Sequence, residues 1–324
     1  MLIKENSGAK FGLIREMTRR DDNMLNIVVL CEIAGVSRSG YYNWLKSETV
    51  RDKRNEADRR DYEMILSAYK HRGYDKGARG IYMRLLHQNI VMNVKKIRRL
   101  MKKFGLTCPI RRANPYKKMA KALEESNVAP NLLKREFKQH GARKVLLTDI
   151  TYLKRADGNF SYLCTILDAF TKQILSYALS FTLEEDFVLA AVNRLLANYR
   201  IEFPAQTLIH SDQGGHYKAT EFIKLVNDAE LRRSMSRKGN CWDNAPQESF
   251  FGHMKDEIDI SNCQTHNDVV SVIDDWIDYY NNDRYQWELA RLSPNEYYQY
   301  VTTGAYPLPI APPKGGDCIE ETDH

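Results

Sequence analysis

Apolar positions recur every three to four residues along the front of the chain and every second residue in several stretches after residue 144, so a helical front is expected to lead into an α/β back. Leu25 to Ile33 predicts a short helix behind a polar leader, Gly35 the turn that ends it, and Ser37 the cap of a second helix through Tyr41, Tyr42, Trp44 and Leu45. The Ala34-Gly35-Val36-Ser37 turn between two short helices has helix-turn-helix spacing, a DNA-contacting unit or simply a packed helical pair. A charged helix follows from Asn55 to Lys70, then a connection containing Gly73, Gly77 and Gly80. Ile81, Leu85 and Leu86 mark the next helix, and Asn93 caps another whose apolar stripe is Val94, Ile97, Leu100, Met101 and Phe104. The rest of that helix is Lys95, Lys96, Arg98, Arg99, Lys102 and Lys103, with no acid among them, which fits contact with phosphates. Cys108 to Asn131 has weak periodicity, several prolines and a run of cations including Arg111 and Arg112, and reads as a basic linker able to follow a DNA backbone.

Beyond Lys144 the period changes. Val145 to Leu153 predicts a strand, Phe160 to Leu167 its hairpin partner across Asp157-Gly158-Asn159, and Gln173 to Leu179 a third strand. An amphipathic helix from Glu184 to Tyr199 leads to a strand at Thr207 to His210, a helix near Thr220 to Ala229, a short strand at Leu231 to Met235, and a final helix carrying Glu248. This is the ribonuclease-H-like order of elements. For the Glu248 helix, Asp243 or Asn244 offers the cap, Pro246 suits the first turn, and Phe250, Phe251 and Met254 face a core. Val269 to Tyr280 is helical by spacing, Asn281 to Arg284 breaks it, and the aromatics Tyr285, Trp287, Tyr297, Tyr298 and Tyr300 pack a small C-terminal element. The prolines and glycines after Thr302 point to a flexible tail. The organisation expected is a helix-turn-helix region at 1–50, a second basic one at 51–107, a basic linker at 108–143, an α/β core with its helical extension at 144–302, and a tail at 303–324.

Charge sharpens this division. Residues 1–140 carry 31 Lys and Arg against 15 Asp and Glu, whereas the remainder carries 17 against 27, so the front half is built to meet a polyanion. No apolar run approaches the roughly 20 residues needed to span a bilayer, and Met1 to Arg20 is too charged for a secretory signal, which argues for the cytoplasm and against a membrane partner. The six cysteines show no C-x-x-C spacing, so neither a zinc module nor a disulfide framework is expected.

Three acids stand out. Asp149 lies inside an apolar strand, where a charge is costly unless paired or bound to metal. Asp212 ends a buried strand immediately before Gln213-Gly214-Gly215, at the sheet edge where ligands bind. Glu248 sits in the first turns of its helix, seven residues before Lys255, so carboxylate and ammonium share one helix face. If the first and fourth strands are neighbours, the three carboxylates can converge. Three oxygen donors without a His or Cys cluster suit Mg²⁺ or Mn²⁺, and two such ions could serve an in-line displacement at phosphorus with no protein nucleophile. His210 and His216 flank Asp212 but lack ligand-like spacing and read as structural.

The segments Thr148 to Tyr152, His210 to Tyr217 and Ser234 to Glu257, followed by Tyr279 to Asn282 and Leu292-Ser293-Pro294, resemble the retroviral-integrase-like transposases of bacterial insertion sequences, specifically the product of their second reading frame. The resemblance covers the whole chain. It implies a ribonuclease-H-like integrase catalytic core preceded by all-α helix-turn-helix DNA-binding regions. It implies a DDE enzyme in which Asp149, Asp212 and Glu248 bind two Mg²⁺ or Mn²⁺ ions, cleaving 3′ ends and transferring strands. Lys255 matches the basic position that contacts the element's terminal DNA, with Arg237 and Lys238 in the loop leading to it, and Asp168 matches a recurrent acid that here reads as supporting the fold. The implied partners are the terminal inverted repeats, target DNA and further copies of the chain on DNA, in the bacterial cytoplasm at the nucleoid. In this family an upstream frame commonly supplies a helix-turn-helix and a leucine zipper, and Met1 to Asn23 contains no heptad run, so the upstream-frame product is a further expected partner. Two alternatives remain open at this point: a DNA-binding regulator with an inactive integrase-like core, and a ribonuclease-H-like nuclease acting on RNA–DNA hybrids.

Overall fold

The computed structural model describes residues 7–73, 76–108, 141–204, 207–236 and 245–313. Most of the expected basic linker, including Arg111 and Arg112, lies outside the described residues, as do Arg237, Lys238, the two cap candidates Asp243 and Asn244, Cys241, Cys318 and the end of the tail. The chain divides into two compact units, 1–67 and 68–324.

In the first unit, α1 (Ser7–Thr18), α2 (Ile27–Ala34) and α3 (Arg38–Lys46) lead into α4 (Glu48–Lys70). Asn26 caps α2 by accepting from Val29 N, and Ser37 caps α3 by accepting from Gly40 N. Between them Gly35 adopts φ 64°, and its N–H donates to the carbonyls that end α2, a backbone state that glycine enters without a Cβ penalty. The two short helices and the tight turn between them therefore form close to their expected positions. The stretch ahead of it differs from the expected polar leader. Phe11, Ile14 and Met17 lie on one face of α1 and close over Leu30, Cys31 and Tyr41. Leu13 is exposed and the intervening positions are polar, which conceals that narrow stripe in the sequence.

The second unit opens with the end of α4, α5 (Ala78–His87) and α6 (Val94–Lys103). Asn93 caps α6, Ile97, Leu100 and Met101 are buried, and Lys95, Arg98, Arg99, Lys102 and Lys103 are exposed. The core follows as β1 (Val145–Lys154), β2 (Phe160–Asp168), β3 (Ile174–Ser180), α7 (Asp186–Tyr199), β4 (Leu208–Ser211), α8 (Thr220–Asp228), β5 (Arg232–Met235), α9 (Ala245–Glu257), α10 (His266–Asn282) and α11 (Pro294–Thr303). The sheet order is β3-β2-β1-β4-β5, with β1 to β3 antiparallel and both β4 and β5 parallel to β1.

Alternation along β1 divides its side chains between two layers. Val145, Leu147 and Leu153 pack with Phe250, Phe251 and Met254 of α9 and Ile273, Trp276 and Tyr280 of α10. Leu146, with Cys164 and Ile166 of β2, packs with Val188, Ala191 and Val192 of α7 and Phe222 and Val226 of α8. Asp168, at the end of β2, is fully buried and accepts from Arg143 N and Phe170 N, each at 2.9 Å, while Arg143 reaches on to Gln173 and Glu202. It is a fold-supporting acid. The tail differs from expectation in its first part: Tyr306, Leu308 and Ile310 pack with Leu86 and Leu292, and the Tyr306 hydroxyl donates to Ala290 O at 2.8 Å. Among the described residues no helix is long and apolar enough to cross a membrane.

Candidate active site

β1 carries Asp149 on the face that meets α9, because it stands two positions beyond Leu147 in the alternating register. β4 runs beside β1 with Leu147 level with His210, and continuing that parallel register by two residues brings Asp212 beside Asp149. Asp212 is exposed just past the end of β4, and its Oδ1 accepts from Gly214 N at 2.8 Å. A Cβ at Gly214 would come within 2.9 Å of that same oxygen, so a larger residue there would displace the Asp212 carboxylate. Asp149 Oδ1 accepts from Ile150 N, also at 2.8 Å.

Two buried contacts tie the neighbouring segments to β1 and β2. Tyr217, 1% exposed, follows the Asp212 turn and shares a 3.2 Å hydrogen bond with Thr148, the residue before Asp149. Burial is the main reason the Tyr217 phenol is held well above its ordinary pKa and the Cys164 thiol beside Thr148 is pushed up to about 12, so both stay neutral. On the other side, Gln247 of α9 is fully buried and donates through Nε2 to Thr165, which lies directly opposite Asp149 in the β1–β2 register. The next residue is Glu248, exposed at the start of α9, and Lys255 is exposed two turns on.

These acids meet electrostatically at Asp149. Burial pushes its carboxyl up to about 7; the charges of Asp212 and Glu248 push in the same direction, and the Ile150 N–H and the Lys255 ammonium oppose them. The Lys255 ammonium is lowered by burial, with the Asp149 charge acting against that shift. Among the described residues no three His, Cys, Asp or Glu side chains form a ready-made metal-binding group. Asp212 and Glu248 thus act on Asp149 as charges.

The remaining candidates fall elsewhere. His210 Nδ1 shares a 2.9 Å hydrogen bond with Ser234 Oγ, and His216 Nε2 donates to Leu183 O at 3.2 Å, both structural roles. The cations of α6 lie on the second unit's other helical pair, in a different part of the sequence from the acids. Sequence reasoning gave no role to Gln247, Thr165, Thr148 or Tyr217. Their signal is a polar side chain at a core position, visible only once the strand register shows what stands opposite.

A β3-β2-β1-β4-β5 sheet with one acid midway along β1, one just past the end of the neighbouring β4 and one on α9 has the arrangement of a ribonuclease-H-like integrase core. Three family descriptions match the chain: an integrase core domain over residues 139–241, a second integrase core domain over 229–294, and an HTH-like domain over 56–114. The chain is 34% identical over 272 residues to the insertion element IS600 uncharacterized 31 kDa protein of Shigella sonnei, spanning 82% of this chain and 96% of that protein. It is 32% identical over 276 residues to the putative transposase InsK for insertion sequence element IS150 of Escherichia coli K12, spanning 83% and 92%. Transposase InsF for insertion sequence IS3A, from the same organism, is 29% identical over 233 residues, spanning 72% and 79%. The chain belongs to the insertion-sequence transposases with an integrase core, a family of polynucleotidyl transferases.

Proposed function

We propose that this transposase cleaves the 3′ ends of its own insertion sequence and joins them to target DNA at a centre formed by Asp149, Asp212 and Glu248. The observation that carries this is the placement of Asp149 on the face of β1 that meets α9, beside β4, which leads into Asp212; burial and then the charges of Asp212 and Glu248 push the Asp149 carboxyl up to about 7. A divalent cation fits such a site: the donors are all carboxylate oxygens, and a positive charge reverses the repulsion among them. Asp149, Asp212 and Glu248 would hold Mg²⁺ or Mn²⁺, two ions in our reading. When bound, such ions lend Lewis acidity to attack by water or a 3′-hydroxyl on a phosphodiester.

The chain's own residues supply position. The Thr148–Tyr217 and Thr165–Gln247 contacts hold the Asp212 and Glu248 segments against the strands around Asp149. Lys255 faces the same region and supplies a cation for the terminal DNA phosphate, with Arg237 and Lys238 on the loop preceding α9. The cations of α6, Arg111 and Arg112 extend the DNA contact along the front half. The working form is a homo-oligomer on DNA at the nucleoid, with the upstream-frame product as a partner in end recognition.

The test mixes purified protein, Mg²⁺ and a labelled duplex ending in the inverted repeat of its own locus. A nicked 3′ end and joined products are expected. Asp149→Asn, Asp212→Asn and Glu248→Gln each abolish both while duplex binding persists, and cleavage retained in the triple variant sinks the proposal. Products that appear only when the upstream frame's product is added identify that protein as the missing partner.

A further inference from the structure

Gln247 stands one position before Glu248 at the start of α9, and its side chain is fully buried. A primary amide carries two donor hydrogens and a carbonyl acceptor, and a buried one must find partners for them inside the fold. Nε2 donates to Thr165 Oγ1, whereas Oε1 has no hydrogen-bond partner among the described residues. We propose that Gln247 is a positioning residue of the acidic centre. Nε2 holds Glu248 at its distance from Asp149, and Oε1 accepts from a water that a divalent ion brings with it, so the amide sets ion affinity without being a ligand. The inference rests on reading Asp149, Asp212 and Glu248 as the ion's ligands, and it adds the residue that tunes how tightly they hold it.

Thr165 is itself fully buried and lies directly opposite Asp149 in the antiparallel β1–β2 register. Side chains paired in this way share one face of the sheet with Cβ atoms about 5 Å apart, so an amide touching Thr165 lies over the strand pair beside Asp149. Oxygen and nitrogen of an amide point away from each other, so tying Nε2 to Thr165 also fixes which way Oε1 faces. Leu163 and Leu167, the next residues along that face of β2, and Phe250 and Phe251 of α9 are apolar and supply no donor. Buried carbonyls are rarely left in that state. Mg²⁺ dehydrates reluctantly and keeps several waters, whose hydrogens supply what Oε1 lacks. Partners in this outer position orient the ligands and typically change ion affinity by about 10–100-fold.

The far end of α9 is anchored independently. Glu257 Oε1 accepts from Arg284 Nε at 2.9 Å, and Glu257 Oε2 accepts from Trp276 Nε1 at 3.2 Å. Phe250, Phe251 and Met254 pack the middle of the helix on the sheet. Loss of the Gln247 amide therefore frees the turn that bears Glu248 and leaves the rest of the helix in place.

Three variants separate the two contacts. Gln247→Met keeps the side chain's length and removes both amide atoms. Thr165→Val removes the tether and leaves Oε1. Gln247→Glu keeps an acceptor at the Oε1 position, and the Thr165 hydroxyl, a donor as well as an acceptor, can still bond to it. The full chain is titrated with Mn²⁺ in the absence of DNA, with free Mn²⁺ read by electron paramagnetic resonance, and melting temperatures are taken in EDTA. Gln247→Met should weaken Mn²⁺ binding about ten-fold and Thr165→Val by a smaller factor, while Gln247→Glu binds at least as tightly as wild type. In EDTA the melting temperature of Gln247→Met should match or exceed that of wild type, because an orphaned buried carbonyl has gone. A Gln247→Met chain that binds Mn²⁺ like wild type, or no more weakly than Thr165→Val, overturns the proposal, as does a Gln247→Glu chain as weak as Gln247→Met. A glutamine that serves only the fold would lower the melting temperature in EDTA and leave ion affinity alone, which also overturns it. Asp149→Asn tests the underlying reading. Wild-type Mn²⁺ binding retained in Asp149→Asn removes the ligand assignment and the proposal together, whereas binding lost in Asp149→Asn but unchanged in Gln247→Met removes the role of Gln247 alone.

Discussion

Asp149 holds the site's electrostatic tension in a single side chain. In the folded chain its carboxyl titrates at about 7 in place of its ordinary 3.8, with burial the leading cause. The folded state therefore favours the protonated form, so the stability linked to this group is fully present below the ordinary value and is lost as pH rises through about 7. In metal-free buffer Asp149→Asn escapes that loss. Its melting temperature should exceed the wild type's above neutral pH, by an amount corresponding to no more than about 4 kcal/mol, and the two should converge near pH 4. Adding Mg²⁺ should raise the wild type and leave the variant nearly unchanged. Calorimetric scans across pH in EDTA and in Mg²⁺ check both statements, and a difference independent of pH contradicts the electrostatic account. This acid was legible in the sequence because a lone charge interrupts an apolar alternation, Leu146, Leu147, Asp149, Ile150. Its weakened acidity was not, because that depends on burial in the folded chain and then on charges that Asp212 and Glu248 contribute from distant parts of the sequence.

At the scale of elements, the strands and the helices of the core were readable because alternation and amphipathic spacing are local patterns, and β1, β2 and β4 form close to their expected limits. The tethers between elements were not readable. A Gln before a Glu and a Thr within a strand carry no local signal; only the register that sets Thr165 opposite Asp149 gives the Gln247–Thr165 contact its meaning. Thr165→Val keeps the shape and removes the acceptor, leaving a buried amide without its partner, which costs about 1–3 kcal/mol. Because α9 carries Glu248, the variant should also lose cleavage several-fold while binding duplex as well as wild type. Thr165→Ser restores the acceptor and should restore cleavage. Parallel binding and cleavage assays on both variants distinguish this from general destabilisation, which the serine variant shares in lost packing.

A different acid links α11 to the helical front. Glu296 closes a capping box with Ser293 and pairs with His87 Nε2 at 3.1 Å, while the His87 ring stacks on Tyr285 with ring centres 3.4 Å apart. Burial raises the Glu296 carboxyl, but the bonds from His87 and Ser293 together outweigh it and hold the group below its ordinary value. The sign is opposite to that of Asp149: this stability is present above the ordinary value and is lost as pH falls through the depressed one. Glu296→Gln should lower the melting temperature at neutral pH and narrow the gap to wild type on acidification below about pH 4, since the variant has no carboxylate to protonate there. A gap that stays constant or widens below about pH 4 would contradict the pairing.

Across the whole second unit, the structure joins the basic helical pair to the segment after the core, a connection no local pattern announces. Arg84 of α5 is 6% exposed and donates to Asp283 O at 2.9 Å and to Tyr285 at 3.2 Å, and Leu86 packs with Leu292 and Leu308. These partners are separated by some 200 positions. The prolines around Leu308 read as a tail because composition reports backbone preference and not what a single leucine finds to cover. Leu308 is 9% exposed, so Leu308→Ala removes a buried side chain at a cost of about 2–3 kcal/mol. If the C-terminal segment and α5 are one cooperative body, that loss should appear as faster amide exchange in α5 as well as around Leu308. Faster exchange confined to residues near Leu308 would separate the two segments energetically.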